Sequence, residues 1–459
     1  MVSEKFRHQL RKEVEKWQAE GLIEASLYQQ LAQRYQFENL ATSAHNRFVM
    51  ILLGLGSILL GLGGITLVAA NWQVWLREFK VLLLIFVFVG INLAGFYLWH
   101  DRHRQQRLGQ GLLLLGALLL GANMGLMSQM FHQSGTVSEL FFVWGLGVLG
   151  MAYSLNLSSL GIFSLILLGI SYPIGLIDNL SLQSDISWLR IAVELMPLLI
   201  SLLFVPLAYR CRSGWLFGLS AFLISYSFIS NLVFFIPRVS ILEDGAVAIA
   251  YCLPIALLWA YSDRLWTNNQ QAQFLFDSIA RNLSIFYLSL LFYLLSFHWI
   301  WEDRWQSLRE AISFLNLINL IAFLALTIYA WWQLGYRNSS QWRINLHSTA
   351  IGVGLIISSS LFWYQTKIGA MGTIATTIFN IMLLILALEL IREALAIGTR
   401  RGFWSGIILL VLQICSRMLE YNTGLILKAI VLFMCGIGVI VAGLWFERHI
   451  QTLTSANQE

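Results

Sequence analysis

From Phe48 to Phe446 the chain is a near-unbroken series of apolar stretches, about fourteen in all, separated by short loops that are basic or carry tryptophan. A helix of about 20 apolar residues crosses the hydrocarbon of a bilayer, so this pattern fixes the solvent in which most of the chain folds. Backbone groups in hydrocarbon must be paired within a helix or a closed barrel. Runs of Leu, Ile and Phe without period-2 alternation select the helix. The expected fold is therefore all-α, a polytopic integral membrane helix bundle. Composition agrees, because 58% of the residues are hydrophobic and 12% are charged, against about a quarter charged in soluble domains.

The spans are expected near 48–70, 81–99, 111–131, 140–154, 159–177, 191–209, 215–236, 246–261, 283–300, 311–334, 346–364, 371–391, 403–419 and 425–446. Lys and Arg are retained on the cytoplasmic side. With fourteen spans, the side holding the termini collects 20 of the 29 basic residues and the other side 9. The stretch 140–154 is short enough to be re-entrant, but removing it reduces the bias to 17 against 12, so it is kept. Both termini are then expected in the cytoplasm. Thirteen of the 18 tryptophans lie at or near span ends, where the indole meets the interface, and Trp144 is an exception.

The expected organisation is a polar segment at 1–47, Gly-rich membrane helices at 48–180, a second helix bundle at 181–446 and a polar tail at 447–459. Within 1–47, Phe6, Leu10, Val14 and Trp17 fall on one helical face, Gly21 stops that helix, and Ser26 with Gln29 fits a capping box before a second stripe of Leu27, Leu31 and Tyr35. A short cytoplasmic helical hairpin is expected, either as a docking module for a protein partner or as a cap on the chain's own loops. Residues 1–180 hold 20 of the 35 glycines. Gly54, Ser57, Gly61 and Gly64 in the first span, and Ala117, Gly121 and Gly125 in the third, form small-residue seams of the kind that let membrane helices pack closely.

The four cysteines are scattered singly and suggest neither disulfides nor a metal site. No phosphate loop, dinucleotide fingerprint, zinc-protease motif or nucleophile elbow is present. His100 and His103 flank Asp101 among arginines, which reads as a basic membrane-surface loop. No cofactor, metal or nucleic-acid partner is expected; the bilayer is the expected partner, and nothing in the sequence sets an oligomeric state.

Two groups of residues could carry function. Asn71, Asn123, Gln129, His132 and Glu139 occur where three Gly-rich spans meet short loops, and together they could face one polar cavity, with His132 and Glu139 as an acid/base pair. The alternative is that each amide bonds a neighbouring helix. Ionisable groups at membrane depth form the second set: Glu194, four residues after Arg190, and Glu389 with Arg392 and Glu393. The competing reading makes these interfacial anchors, and Arg417, Lys428 and His298 are close enough to interfaces to snorkel.

The first 180 residues resemble the bacterial membrane-protein family known as domain of unknown function 2157. The likeness rests on three blocks: Trp17, Gly21, Leu22, Ile23, Leu31 and Tyr35; then Ala69, Ala70, Asn71 and Trp72; then Gly121 and Ala122 through Gln129, Ser134, Gly135, Glu139, Leu140, Phe141 and Trp144. It implies a polytopic architecture in a bacterial cell membrane and supplies no chemistry. Three classes of function follow. A membrane-embedded scaffold or regulator that recruits a partner through the hairpin is favoured slightly over a transporter or flippase of a small or lipid-linked substrate, and an intramembrane enzyme comes last. A transporter requires a polar route joining Asn123 to groups such as Asn316, Asn319, Asn380 or Gln413.

Overall fold

The computed structural model describes residues 10, 13–18, 20–35, 59, 75–100, 106–133, 135–181, 187–234, 242–263, 276–302, 314–336, 345–367, 372–420 and 424–456. Asn71 and the expected first span, with its Gly54 to Gly64 seam, lie outside them. Contacts divide the chain into Met1–Val87 and Phe88–Glu459.

In the first unit, residues 13–18 are helical and α1 spans Ala25–Tyr35. The turn between them needs glycine. Gly21 sits at φ +73°, its N–H reaches Gln18 O, and Leu22 N–H reaches Trp17 O, the paired bonds of a left-handed helix stop. Val14 is fully buried against Leu10, Ile23, Tyr28, Leu31 and Ala32, so the hairpin has a small core of its own. Two details differ from expectation: Tyr28 rather than Leu27 enters this core, leaving Trp17 and Leu27 exposed, and the start of α1 is uncapped by Ser26. The helix begins at Ala25, which places Ser26 inside the first turn, where its hydroxyl reaches the Glu24 carboxylate at 3.4 Å rather than capping.

The chain continues through α2 (Arg77–His100), α3 (Gln106–Met130), α4 (Val137–Leu155), α5 (Ser158–Ser181), α6 (Trp188–Glu194), α7 (Met196–Cys211), α8 (Gly214–Phe234) and α9 (Leu242–Ala260). It ends with α10 (Asp277–Leu295), α11 (Trp299–Glu302), α12 (Phe314–Tyr336), α13 (Leu346–Lys367), α14 (Gly372–Ile397), α15 (Arg400–Glu420) and α16 (Leu425–Ala456). Among the described residues, eleven helices are long and apolar enough to cross a bilayer, and the bent pair α6 and α7 makes a twelfth. Each expected span from residue 81 onward falls on one of these helices or on α9. The stretch near 140–154 is a full helix of 19 residues.

Two spans depart from their expected form. The sixth is broken at Leu195 by a 69° bend. The ninth lies about six residues early: it starts at Asp277 and ends at Leu295, because the carbonyl of Ser296 is taken by the Asn380 amide at 3.2 Å and by the Arg417 guanidinium instead of by a further helical turn.

In the second unit one apolar core runs from Leu113 to Leu409, with no interruption near residue 180. Its centre is α5 and α8, which are 56% and 61% buried along their most apolar windows, whereas the most apolar window of α16 is 0% buried and that helix is anchored mainly by Phe446, stacked on Phe403 at 4.1 Å. Outward Leu, Ile, Phe and Trp side chains on nearly every span are what a lipid-facing surface requires. Hydroxyls inside the core are satisfied locally: Ser220, Ser225 and Ser227 each donate to the carbonyl four residues back. Others tie helices together, as Ser164 does to Gly145 O at 2.6 Å and Ser284 to Ile255 O at 2.9 Å.

The α3 seam is occupied by an aromatic ring. Trp144 of α4 donates from its indole N–H to Ala117 O at 2.8 Å, and its ring lies where a Cβ on Gly121 would stand, 2.3 Å away. That explains why Trp144 lies inside its span rather than at an end. It also shows where the seam stops: Ala117 and Gly121 are buried, whereas Gln129 is exposed. Replacing Gly121 by valine should therefore cost about 1–3 kcal/mol through overpacking and lower the unfolding temperature of the detergent-purified protein. Gly125→Ala, inside the same helix with nothing within 4 Å of its Cβ position, should not lower that temperature and should raise it slightly.

Candidate functional site

The break in the sixth span follows from one residue. Pro197, at the start of α7, has no N–H and its ring clashes with the carbonyl four residues back, so the helix cannot run on through Val193. Leu195, at φ −87° and ψ 6°, caps both halves. In water the freed carbonyls would be solvated; inside a membrane protein other side chains must meet them. Asn231 from α8 gives its amide to Val193 O at 3.2 Å and Glu194 O at 2.8 Å, and Asn319 from α12 reaches Glu194 O at 2.6 Å. The orientation of Asn231 is fixed in turn by Tyr172 of α5, fully buried, whose hydroxyl donates to Asn231 Oδ1 at 2.8 Å.

Around this knot lie groups that the fold does not satisfy. Glu194 is 1% exposed; Arg190 Nε meets its Oε1 at 2.9 Å, but its Oε2 is buried without a hydrogen bond. Asn319 Oδ1 is also unpartnered, and Asn316, 2% exposed, has neither amide atom bonded. Asn316 and Asn319 are three residues apart on α12 and so share its face. A buried polar atom left unpaired costs about 1–3 kcal/mol. A cluster of them at the break of a membrane helix is stored cost of the kind that marks a site.

The break helix separates two environments. Trp188, Ile191, Ala192 and Leu195 recur at helical spacing and line a groove of about 380 Å³ with side chains of α4, α5 and α7, all of them apolar. Arg190 and Glu194 fall on the other face of α6. A second cavity, about 60 Å³, lies between α7, α8, α9 and α12 and is lined mainly by Val205, Phe217, Leu257 and Phe323.

The loop residues expected to form a cavity are placed differently from one another. Asn123 is buried on α3, Gln129 and His132 are exposed, and Glu139 is half-buried. His132 sits at φ 52° in the left-handed stop that ends α3, with Gln133 N–H on Ser128 O at 3.0 Å. Glu139 starts α4: its carboxylate accepts the Thr136 N–H at 3.0 Å while the Thr136 hydroxyl accepts the Glu139 N–H at 3.2 Å, a complete capping box. No hydrogen bond or ion pair joins His132 to Glu139, and each serves to end or begin a helix.

Glu389 belongs to an exposed network, with His347 Nδ1 at 3.6 Å and an Arg392 nitrogen at 3.7 Å. Arg417 does not snorkel. It pairs with Glu420, reaches Ser296 O and stacks 4.2 Å from the Phe297 ring, in a cluster where Gln413 bonds Asn380 O at 2.8 Å. Asn316 and Asn319 thus belong to one knot, and Asn380 and Gln413 to another. Beyond the end of α9, Asp263 accepts from Phe276 N–H at 3.1 Å and from the Tyr209 hydroxyl, and donates its own N–H to Asp277 Oδ1 at 3.0 Å. Burial, with Asp277 beside it, raises the Asp263 carboxyl above the usual carboxylate range.

Fold and site together define a polytopic all-α membrane protein with a broken, polar-lined span. Residues 15–161 match a family described as "Predicted membrane protein (DUF2157)", in agreement with the likeness of the three sequence blocks. The match begins within the first hairpin helix and ends early in α5, so the break lies beyond it. No curated protein and no solved structure matches the chain.

Sequence reasoning singled out Glu194, Asn316 and Asn319 but not Pro197, Asn231 or Tyr172. Pro197 was the available signal, since a proline favours a helix boundary before it, although Pro173, Pro206 and Pro254 lie inside continuous helices.

Two outcomes follow. Asn231→Leu takes the side-chain donor from Val193 O and leaves Glu194 O with Asn319 alone, and should lower stability by about 1–3 kcal/mol, whereas Asn316→Leu removes only an unsatisfied amide and should raise it, both read as shifts in unfolding temperature. Asp263 binds its proton more tightly folded than unfolded. Its contribution to stability is therefore full at acidic pH and lost as pH rises through its raised value, and Asp263→Asn should flatten that part of the pH–stability curve.

Proposed function

We propose that the protein is a membrane transporter that receives a small polar solute at the break of its sixth span. The observation that carries this reading is the incomplete knot: one oxygen of the Glu194 carboxylate, the Asn319 amide oxygen and both amide atoms of Asn316, on side chains nine-tenths buried or more, left without hydrogen-bond partners beside a discontinuous helix. Discontinuous helices supply solute and ion sites in secondary transporters because unwound backbone and helix ends present polar groups at membrane depth. Charge bias puts both termini in the cytoplasm and the α6 end of the knot, one to two turns below Trp188, toward the opposite face. The expected route from Asn123 to Asn380 is not part of this reading, since those residues belong to other clusters.

The scaffold reading is supported by a different observation. The hairpin holds its own small core around Val14 and leaves Trp17, Leu22 and Leu27 exposed as a surface for a partner. It predicts that deleting residues 1–45 leaves membrane insertion intact and abolishes co-purification of that partner.

Transport requires that the knot be reached by water in some state of the protein. In a background with Cys211, Cys252, Cys415 and Cys435 replaced, Asn316→Cys in intact cells should react with a membrane-impermeant thiol reagent. Leu288→Cys, 2% exposed in the apolar core, should not. Equal inertness of the two would contradict the transport reading.

A further inference from the structure

We propose that the break of the sixth span binds one sodium-sized alkali cation, with Glu194 Oε2, Asn319 Oδ1 and Asn316 Oδ1 as its protein ligands. This deepens the transport reading and rests on it for the site, but it has its own test.

The argument begins with which lone pairs are left over. The Asn319 amide nitrogen is 2.6 Å from Glu194 O, and only its nitrogen can donate to a carbonyl. Its oxygen is therefore turned away from that bond, and it has no donor. Asn231 is complete by comparison, with its nitrogen on two carbonyls and its oxygen on the Tyr172 hydroxyl. The Asn231 and Asn319 donors are spent on the backbone, and what remains is mainly oxygen: one carboxylate oxygen and two amide oxygens, buried and unpartnered, with the Asn316 amide nitrogen as the one unpartnered donor beside them.

Charge then selects the ligand. Arg190 lies 2.9 Å from the other Glu194 oxygen, so the pair is formally neutral before anything binds. A monovalent cation adds one charge to a low-dielectric site, and a divalent cation would add two with a single carboxylate to answer it. Hard oxygen donors suit alkali and alkaline-earth ions. Among the described residues no three His, Cys, Asp or Glu side chains gather, so the donor set is one acid and neutral amides. Broken membrane helices hold sodium on unwound backbone carbonyls and half-helix ends; here the break carbonyls are taken by Asn231 and Asn319, so side-chain oxygens would supply the ligands.

The test is thermal unfolding of the detergent-purified full-length protein in sodium, potassium and choline chloride at equal ionic strength. Sodium should raise the unfolding temperature, and above saturation the rise should grow with the logarithm of its concentration. Glu194→Gln should lose the sodium-dependent rise. Asn316→Leu, which has no hydrogen bond to lose and so keeps its fold, should lose it as well while starting from a higher baseline. Identical unfolding temperatures in the three salts, as expected if only water fills the knot, would overturn the assignment. So would an equal response to potassium or choline, or a sodium response retained in Asn316→Leu. If Asn316→Cys reacts with the thiol reagent and no salt stabilises the protein, the cation assignment fails alone. A sodium response with an inert Asn316→Cys keeps the cation site and removes transport.

Discussion

Everything distinctive in this protein follows from the need to pair backbone carbonyls where no water can do so. A continuous span meets that need by itself, and the other described spans do so over most of their length. At Leu195 it fails, because Pro197 withholds an N–H and pushes the helix aside. Two asparagines and a tyrosine from three other helices converge to make good the loss. A kink that recruits α5, α8 and α12 cannot be an accident of one helix.

The repair is unequal. Carbonyls at the break are satisfied, while Glu194, Asn316 and Asn319 keep atoms with nothing to bond. A fold selected only for stability would replace Asn316 with leucine, since an amide bonded to nothing costs more than an apolar side chain of similar size. Retained polar groups at membrane depth are most economically explained by something that binds to them. Unpartnered atoms occur in the second knot too, at Arg417 Nε and Nη2 and Gln413 Oε1, but the carboxylates elsewhere are better served: Asp263 has the Phe276 N–H and the Tyr209 hydroxyl, and Glu420 has Arg417 and the His298 N–H at 2.6 Å.

Much of the architecture was legible in the sequence because the bilayer allows so few solutions. Span positions, the all-α class and the hairpin with its Gly21 stop follow from apolar length, helical periodicity and one glycine. Local chemistry was legible too, though easy to misread: Thr136-x-x-Glu139 is a capping box in plain sight, and reading Glu139 as an acid/base partner of His132 overlooked it. Trp144 looked misplaced until Gly121 was seen to make room for its ring. What could not be read was which asparagines meet. Tyr172 and Asn231 are separated by 59 positions, and Glu194 and Asn319 by 125. In helices apolar on all faces no periodicity tells which side of a span looks inward. The family likeness, ending before α6, offered no help there.

The most direct test of this account is an experimental structure of the protein in lipid nanodiscs, determined in sodium, at a resolution that separates ions and waters from side chains. The account predicts a sixth span broken at Leu195, with Asn231 and Asn319 on its carbonyls and a bound density between Glu194 and the Asn316 amide. A straight span, or Asn316 turned away to bond a neighbouring helix with the space closed by apolar side chains, would contradict it.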